Sequence, residues 1–359
     1  MNNLFIMHTQ YNLILACGIA KTRYKNCRND LVLYAEFNMN DGLRTALEKS
    51  FDKVYYVNES FVPPQNPIKE DLFLAKCLKK SKEFLKNSYD NVFLSQERPY
   101  DTYILSKLSK HCDFKCYSVE EDVYYSVNNK LNGIGARQIK KSTLGKVRDT
   151  LKTVLFGKNK YYEDIYFYGM NSNYDGNYVL FPNCVRQEMV KGNLIEVTKD
   201  AVKTGIESLY DHITLDIPES EKYVLFYFDL IERYKNPDKI EEIVKYLLEV
   251  CEKSGMRFLY KYHPRETKGF DILKQSECAY EILTSVPGEK ILAQLYGKNV
   301  LVAGNLTTAL WVSEKLGYNV MSVVGIENKE NTAAANALCN MGIQVINNTE
   351  DIKNYIKEM

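Results

Sequence analysis

Long apolar runs are missing from this chain. No stretch reaches the roughly 18 consecutive apolar residues of a membrane-spanning helix. No basic region with an apolar stretch and a cleavage site precedes the first apolar run, so no secretory leader is expected. Lysine and arginine together number 47 and the acidic residues 46, and this near balance does not indicate a nucleic-acid partner. We therefore expect a cytoplasmic protein.

Repeated cysteine spacings and metal-binding motifs are also missing. The nine cysteines are scattered, and their odd number argues against a disulfide framework. Cys112 and Cys116, near His111, lack the second pair that a structural zinc site with about four ligands needs. Neither an Asp-x-Asp motif nor a phosphate-binding Gly-x-x-x-x-Gly-Lys loop occurs. We expect no metal and no other cofactor.

Short apolar runs alternate with amphipathic stretches along the whole chain. The first half has its runs at 4–7, 31–34, 54–57, 91–94 and 114–119, and the second half has them at 223–228, 257–260, 299–302, 319–323 and 344–346. A helix with one apolar face is predicted at 239–253. Such alternation predicts βαβ units with mainly parallel sheets.

A polar, linker-like segment at 211–221 separates the two series. We therefore predict an α/β protein with two Rossmann-like domains, 1–215 and 216–359, in the arrangement called GT-B. Ligands are expected in the cleft between the two domains, near the carboxyl ends of strands. Non-catalytic proteins also use two α/β domains, so the fold alone leaves the function open.

The segment 261–266, Lys-Tyr-His-Pro-Arg-Glu, follows the predicted strand 257–260 directly. Pro264 favours an extended conformation at His263 and ends the strand there. A histidine at the carboxyl end of a strand can donate a proton to a leaving group near neutral pH. A structural histidine at a strand end is the alternative. The other three histidines are not predicted to lie in such a context.

Gly304, Thr307 and Thr308 follow the predicted strand at 299–302. Gly304 suits a tight turn, and the two threonines lie where the next helix is predicted to begin. The free N–H groups and the positive end of a helix, together with two hydroxyl groups, can bind a phosphate. An ordinary threonine N-cap is the alternative.

Three acidic residues, Glu120, Glu121 and Asp122, follow the predicted strand at 114–119. If one of them is shielded from water, its pKa rises toward a value that suits a general base. Exposed surface carboxylates are the alternative.

The three segments, in this order, resemble the bacterial lipooligosaccharide sialyltransferases of glycosyltransferase family 52 and the related capsular polysialyltransferases. Those enzymes carry an acidic pair followed by glycine, a His-Pro pair, and a Ser/Thr pair at a helix start. The segment 5–16 is also similar to the first strand and turn of that family. This chain departs from the pattern at Asp122, where the family has glycine, and at Gln10 and Asn12, where it tends to have proline and glutamine.

The resemblance implies an inverting, metal-independent transfer of sialic acid from CMP-sialic acid to a glycan acceptor of capsule or lipooligosaccharide type. Residues 1–215 would be the acceptor side, and 216–359 would bind the CMP donor. Glu121 would deprotonate the acceptor hydroxyl group, with Glu120 and Asp229 as reserve candidates. His263 would protonate the departing phosphate.

The resemblance also implies the residues that hold the donor. Its phosphate would be bound by Gly304, Thr307 and Thr308, and its ribose and cytidine would lie near Glu289 and Pro264. For Glu289, an ordinary acidic residue at a helix start is the alternative.

Two other functions stay open on the sequence alone. A transferase of the same fold can use CMP-Kdo or a UDP-sugar, and a non-catalytic sugar-binding protein can have the same architecture. The expected acceptor is an oligosaccharide or glycolipid that ends in galactose or sialic acid. The basic residues Lys140, Lys141, Lys158 and Lys160 form either a solvated face or a peripheral contact with an anionic membrane surface.

Overall fold

The computed structural model describes residues 1–58, 67–122, 143–163, 168–190, 192–330 and 332–357. This part of the chain divides into two compact units. The first ends at Tyr210, and the second begins at Asp211. The predicted linker at 211–221 contains neither helix nor strand along its described length. The backbone of Leu215 exchanges hydrogen bonds with the side chain of Gln294. The predicted boundary at 215/216 therefore lies shortly after the start of the second unit.

The first unit contains one parallel sheet and the helices that cover it. Its strands are β1 (Asn2–Met7), β2 (Arg28–Tyr34), β3 (Lys53–Asn58), β4 (Asn91–Leu94), β5 (Lys115–Val119), β6 (Gly176–Val179) and β7 (Asn193–Glu196). Its helices in the described ranges are α1 (Gln10–Thr22), α2 (Asp41–Ser50), α3 (Pro67–Lys80), α4 (Pro99–Leu108), α5 (Thr143–Phe156) and α6 (Lys199–Tyr210). The seven strands lie in the order β3-β2-β1-β4-β5-β6-β7.

The central strands of this sheet are apolar because both of their faces are covered. Leu4, Phe5, Ile6 and Met7 of β1 are fully buried, which is typical of parallel sheets with helices on both sides. Phe5 stacks on Phe93 of β4 with 4.4 Å between the ring centroids. The strand order reverses at β1 and β4, so the carboxyl ends of these two strands border a crevice where such sheets bind ligands.

The second unit repeats this architecture with six parallel strands. They are β8 (Lys222–Tyr227), β9 (Arg257–Lys261), β10 (Ala279–Glu281), β11 (Asn299–Gly304), β12 (Asn319–Ser322) and β13 (Gln344–Val345). The helices described here are α7 (Pro237–Ser254), α8 (Asp271–Gln275), α9 (Gly288–Gln294), α10 (Thr308–Leu316), α11 (Val324–Glu327), α12 (Thr332–Asn340) and α13 (Thr349–Lys357). The order β10-β9-β8-β11-β12-β13 reverses at β8 and β11. The prediction of two Rossmann-like α/β domains is confirmed.

The amphipathic helix predicted at 239–253 is α7. It begins at Pro237, whose missing N–H costs nothing in a first helical turn. It ends before Gly255, which caps the helix in a left-handed conformation with φ of 65°. None of the helices in the described ranges is both long and apolar enough to cross a membrane.

Two glycines allow α1 and α6 to pack against each other at unusually short distance. A Cβ atom on Gly18 would lie 2.0 Å from the carbonyl oxygen of Ala201, and one on Gly205 would lie 2.0 Å from that of Ile14. No side chain fits in these positions without separating the helices. The glycine contact therefore fixes α1, which directly follows β1 and reaches the acidic residues after β5.

We expect Gly205→Ala to lower the free energy of unfolding by about 3 kcal/mol, because a methyl group would have to displace the backbone of α1. Urea unfolding of the variant and the parent protein measures this difference. Gly255→Ala is the matched control, since a Cβ there meets no atom within 4 Å and only the left-handed φ costs about 1 kcal/mol. Equal losses in the two variants would contradict the close helix contact.

Candidate functional site

Polar side chains collect at the carboxyl edge of each sheet, close to the strands where the order reverses. In the first unit they follow β1, β4 and β5, at 8–12, 95–98 and 120–122. In the second unit they follow β8, β9 and β11, at 229–233, 262–266 and 305–308. Each set therefore occupies the position where doubly wound sheets bind their ligands.

Glu120 holds the segment after β5 in place. Its buried carboxylate accepts hydrogen bonds from the hydroxyl group of Tyr11 at 2.6 Å and from the N–H of Leu180 at 3.3 Å. Its backbone carbonyl accepts a hydrogen bond from the side-chain amide of Asn12 at 3.2 Å. These bonds tie the end of β5 to α1 and to the residue after β6, so Glu120 has a positioning role.

The neighbouring Glu121 has the environment of a general base. Its Oε1 accepts a hydrogen bond from Nε2 of Gln96 at 3.2 Å. Burial, together with the negative charges of Asp122 and Glu36, raises the pKa of Glu121 to about 7. A carboxyl group that titrates near neutral pH can accept a proton from a hydroxyl group and release it again.

Four charged side chains lie together beside the end of β1, with His8 fully buried among them. Nε2 of His8 is 3.2 Å from Oδ1 of Asp101, and its Nδ1 is 3.5 Å from Oε1 of Glu36. Glu36 also forms an ion pair with Arg98. Burial alone would lower the pKa of His8, but the charge of Asp101 and the hydrogen bonds to Asp101 and Glu36 outweigh it and raise the pKa. The carboxylates of Glu36 and Asp101 thus lie against Arg98 and a histidine whose pKa is raised.

The sequence-based prediction overlooked this group, and its statement that the other three histidines lack the strand-end context of His263 was wrong for His8. His8 comes directly after β1, so the reasoning applied to His263 applies to it equally. The signal was present in the sequence, where the apolar run at 4–7 leads straight into the histidine. Arg98 and Asp101 gave no such signal, because their contacts depend on how α4 packs.

Three buried polar residues, Ser95, Gln96 and Glu97, directly follow β4. Oγ of Ser95 and Oε1 of Gln96 have no hydrogen-bond partner among the described residues. Oε1 of Glu97 accepts a hydrogen bond from the N–H of Gly169 at 2.7 Å, and burial raises the pKa of Glu97 to about 8. Unpartnered buried groups are costly, and a bound ligand can satisfy them here.

In the second unit, a buried lysine and a carboxyl group interact near the ends of β9 and β10. Nζ of Lys261 donates hydrogen bonds to the carbonyls of Thr284 at 3.0 Å and Tyr262 at 3.3 Å. Burial lowers the pKa of Lys261 to about 8, against the opposing effect of Glu289. Burial raises the pKa of Glu289, which lies in the first turn of α9. The pKa values of both groups are therefore shifted from their ordinary values, which is common at binding sites.

His263 is half-buried just beyond β9. Its Nδ1 accepts a hydrogen bond from the N–H of Arg265 at 3.2 Å, so the proton of the neutral ring is on Nε2. Burial lowers the pKa of His263, the charge of Arg265 lowers it further, and Asp229 opposes this. Asp229 itself accepts a hydrogen bond from the N–H of Leu230 at 2.7 Å and pairs with Arg233 at 3.2 Å. At neutral pH His263 is therefore a neutral hydrogen-bond donor.

The start of α10 lies directly after β11. A Cβ atom on Gly304 would lie 2.9 Å from the carbonyl oxygen of Tyr227, so glycine allows the close approach to β8. Thr307 is the N-cap, and its hydroxyl oxygen accepts a hydrogen bond from the N–H of Ala309 at 3.4 Å. Thr308 is the first residue of the helix. The N-cap alternative thus describes Thr307, and the hydroxyl group of Thr308 is not the cap.

Asn305, between β11 and α10, was not predicted to contribute to the site. Its side chain is only 8% exposed, and its Oδ1 has no hydrogen-bond partner in the part of the chain that the structure describes. Its backbone carbonyl accepts a hydrogen bond from the hydroxyl group of Ser322 at 2.6 Å, which holds the residue in place. The amide oxygen is therefore a fixed, unused acceptor.

The structure places the predicted site residues in two groups. Glu120 and Glu121 belong to the first unit, whereas the second unit contains Asp229, His263, Pro264, Glu289, Gly304, Thr307 and Thr308. Of the basic residues predicted as a possible membrane contact, Lys158 and Lys160 are exposed. Lys140 and Lys141 lie outside the described residues.

No group of three or more His, Cys, Asp or Glu side chains is arranged to hold a metal ion in the described ranges. Cys112 and Cys116 are free thiols, and Cys116 is buried within β5. That the protein uses no metal or other cofactor stays a prediction.

No protein-family model matches the chain, and no curated protein sequence matches it. Solved structures match it in fold. The UDP-GlcNAc 2-epimerase from Methanocaldococcus jannaschii superimposes with a TM-score of 0.57 at 13% identity, over 99% of this chain and 92% of its own. The UDP-GlcNAc 2-epimerase from Neisseria meningitidis, solved bound to UDP-GlcNAc, gives a TM-score of 0.52 at 12% identity, over 100% and 91%.

The chain has the GT-B fold. The similarity covers nearly the full length of this chain and of both epimerases, which confirms the predicted architecture. At 12–13% identity the similarity establishes the fold alone.

We expect Glu97→Gln to flatten the pH dependence of stability. With a folded-state pKa of about 8 against about 4.3 in the unfolded chain, the folded protein retains a proton that the unfolded chain loses. This contribution to stability is complete below the unfolded-state pKa and disappears as the pH rises through the folded-state pKa. Urea unfolding at a series of pH values should show the parent losing more stability than the variant across this window.

Glu207→Gln, at an exposed position in the same unit, is the control and should leave the slope unchanged. Parallel pH profiles for the parent and Glu97→Gln would contradict the retained proton.

Proposed function

We propose that the protein is a glycosyltransferase that moves a sugar from a nucleotide sugar to an acceptor hydroxyl group in one metal-independent displacement. The observation that carries this proposal is the carboxyl edge of the second sheet. A helix start, a neutral histidine donor, a buried lysine influenced by the charge of Glu289 and an unpartnered amide oxygen occur there together. These groups match the chemistry of a phosphate attached to a nucleoside.

The phosphate binds at the start of α10 in this proposal. The free N–H groups and the positive end of the helix favour an anion. The hydroxyl group of Thr308 and the Nε2–H of His263 supply further donors, while Thr307 caps the helix and Gly304 allows the turn. As the sugar–phosphate bond breaks, negative charge grows on the phosphate, and preorganised donors stabilise that charge.

The nucleoside binds through the residues that flank this phosphate site. The carboxyl group of Glu289 suits the ribose hydroxyl groups, and Lys261 holds the neighbouring segment through its bonds to backbone carbonyls. The unpartnered Oδ1 of Asn305 accepts a hydrogen bond from an N–H or O–H group of the nucleoside. Pro264 fixes the backbone next to His263.

Glu121 is the general base of the proposed reaction. It takes the proton of the acceptor hydroxyl group as the acceptor oxygen bonds to the anomeric carbon. The bond from that carbon to the phosphate oxygen breaks, and its electron pair leaves with the phosphate. A single displacement inverts the configuration. Glu120 and Asp229 are poorer candidates, because their carboxylates already bind backbone N–H groups.

Two nucleotide sugars, a UDP-sugar and CMP-sialic acid, are candidates for the donor. Full-length similarity in fold to epimerases solved with UDP-GlcNAc supports a UDP-sugar. CMP-sialic acid, with an acceptor that ends in galactose or sialic acid, is supported by the three short motifs at 120–122, 263–264 and 307–308. The UDP-sugar version has the broader support, because it uses the whole chain.

A second candidate function is epimerisation of a nucleotide sugar, and the same full-length similarity favours it. This reaction needs no acceptor. Incubation with UDP-GlcNAc alone, followed by chromatography of the products, distinguishes the two functions. A 2-epimer formed without acceptor would replace the transferase proposal.

Binding of the free nucleotide tests the donor site directly. We expect UDP to stabilise the protein by about 2.7 kcal/mol at a hundred times its Kd, measured as a shift in unfolding. Thr308→Val should reduce the shift, because it removes one phosphate donor. Thr349→Val, also at the first position of a helix in the same unit, is the matched control.

Stabilisation by CMP and not by UDP would assign the donor to CMP-sialic acid. If neither nucleotide changed the unfolding transition, the assignment of the donor site would be wrong.

The base assignment predicts a specific pH profile. Glu121→Gln should lower kcat by about 10²–10⁴-fold while the unfolding transition is unchanged. In the parent enzyme, kcat should fall as the pH drops below about 7, the pKa of Glu121, because a protonated base cannot accept the acceptor's proton.

Asp122→Asn removes a neighbouring negative charge and should lower the pKa of Glu121. The fall of kcat on the acidic side should therefore begin at a lower pH, with kcat unchanged at high pH. If Asp229→Asn abolished turnover while Glu121→Gln retained it, the base would be Asp229.

A further inference from the structure

Helix α5 presents an apolar stripe to solvent. Val147, Leu151, Val154 and Leu155 are 54%, 57%, 78% and 73% exposed. Their spacing puts them on one side of the helix, since residues four, seven and eight positions apart share a face. Only ten large hydrophobic residues are exposed in the described part of the chain, so this single helix carries four of them.

The stripe is not the face by which α5 attaches to the first unit. Phe156 packs edge-on against Tyr103 of α4, with 5.9 Å between ring centroids. Arg148 and Lys152 pair with Asp71 of α3, at 2.7 Å and 2.9 Å. Arg148, Lys152 and Phe156 are four residues apart and form their own row. The helix is thus fixed to α3 and α4 with the aliphatic stripe turned away from these contacts.

Lysines surround the carboxyl end of this helix. Nζ of Lys107 and Nζ of Lys110 lie 3.7 Å and 3.9 Å from the point where a Cβ on Gly157 would be. Lys158 and Lys160 follow in the chain and are exposed. Between residues 143 and 160 the sequence has five basic residues and one acidic residue, in a chain whose net charge is only +1. Lys107, Lys110, Lys158 and Lys160 therefore concentrate positive charge at the carboxyl end of the helix that carries the apolar stripe.

We infer that α5 lies on the surface of an anionic lipid bilayer. Its valines and leucines enter the boundary between head groups and acyl chains, and the four lysines contact lipid phosphates. A helix of 14 residues is shorter than the roughly 20 residues that span a bilayer, so it lies parallel to the surface. This inference does not depend on the proposed enzymatic function.

The composition of the stripe favours lipid over a protein partner. Protein interfaces concentrate their binding energy in tryptophan, tyrosine and arginine, whereas the stripe consists of valine and leucine. The arginine of this helix, Arg148, is engaged with Asp71. The aliphatic side chains match the apolar acyl region of an anionic membrane surface, and the lysines match its negatively charged head groups.

Sedimentation with lipid vesicles tests the inference on the full-length protein. We expect it to bind vesicles of equimolar phosphatidylcholine and phosphatidylglycerol more tightly than vesicles of phosphatidylcholine alone, and high salt should weaken the binding. Val154→Ser with Leu155→Ser should lower the apparent affinity at least about tenfold, because insertion depends on apolar area. Lys158→Glu with Lys160→Glu should lower it comparably and remove the preference for the anionic lipid.

Matched controls come from the second unit. Leu283→Ser changes an equally exposed leucine, and Lys298→Glu with Lys329→Glu reverses two exposed charges. Both should bind vesicles like the parent. Failure of the parent to bind anionic vesicles, or an unchanged affinity in the stripe variant, would overturn the inference. A parent that forms dimers, dissociated by the stripe variant and unaffected by lipid, would assign the stripe to self-association.

Discussion

The buried carboxylate of Glu120 is the constraint on which the first candidate site depends. It binds the hydroxyl group of Tyr11 and the N–H of Leu180, and so joins β5 to α1 and to the residue after β6. A carboxylate removed from water is stable only if its oxygens are hydrogen-bonded, and here both are. Because Glu120 is held in this way, the next residue has a defined place beside Gln96, from which it accepts a hydrogen bond.

The charges around this position explain why Glu121 and Glu97 differ from their neighbours. His8 lies between Asp101 and Glu36, and Glu36 forms an ion pair with Arg98. Glu121 and Glu97 have no cationic partner of their own among these groups, and burial is the main cause that raises their pKa values, with Glu36 and Asp101 adding to it. Burial thus gives both carboxyl groups pKa values near neutral pH. That property suits proton transfer and is hard to justify as a stabilising feature.

The strength of the local apolar signal decided how much of the fold the sequence predicted. The strand at 91–94 and the helix at 239–253 agree with β4 and α7 within two residues, because continuous burial and one-sided burial leave distinct patterns. Strands β6 and β7 were missed. Each has only four residues and includes glycine or asparagine, so neither forms an apolar run. Their place in the sheet is set by pairing with β5 and with each other.

The sequence predicted the positions of the candidate sites better than the chemical roles of their residues. Acidic residues after a strand predicted a site at 120–122, but only packing separates the bound carboxylate of Glu120 from the half-titrated one of Glu121. Asn305 gave no sequence signal, because an unpartnered oxygen is a property of its surroundings. The two sheets reverse their order at equivalent strands, and in both the residues directly after the fourth strand of the series carry unpartnered buried oxygens.

This coincidence bears on function. A fold tolerates an unsatisfied buried polar group at a cost of about 1–3 kcal/mol, and the side-chain oxygens of Ser95 and Asn305 have no partner in the described part of the chain that requires these residues to be polar. Apolar residues of similar size would fill the same positions without that cost. The polar choice, made twice at the same topological position, is explained if a ligand completes the hydrogen bonds in each unit. A reaction that joins a nucleotide-linked sugar to an acceptor supplies two such ligands.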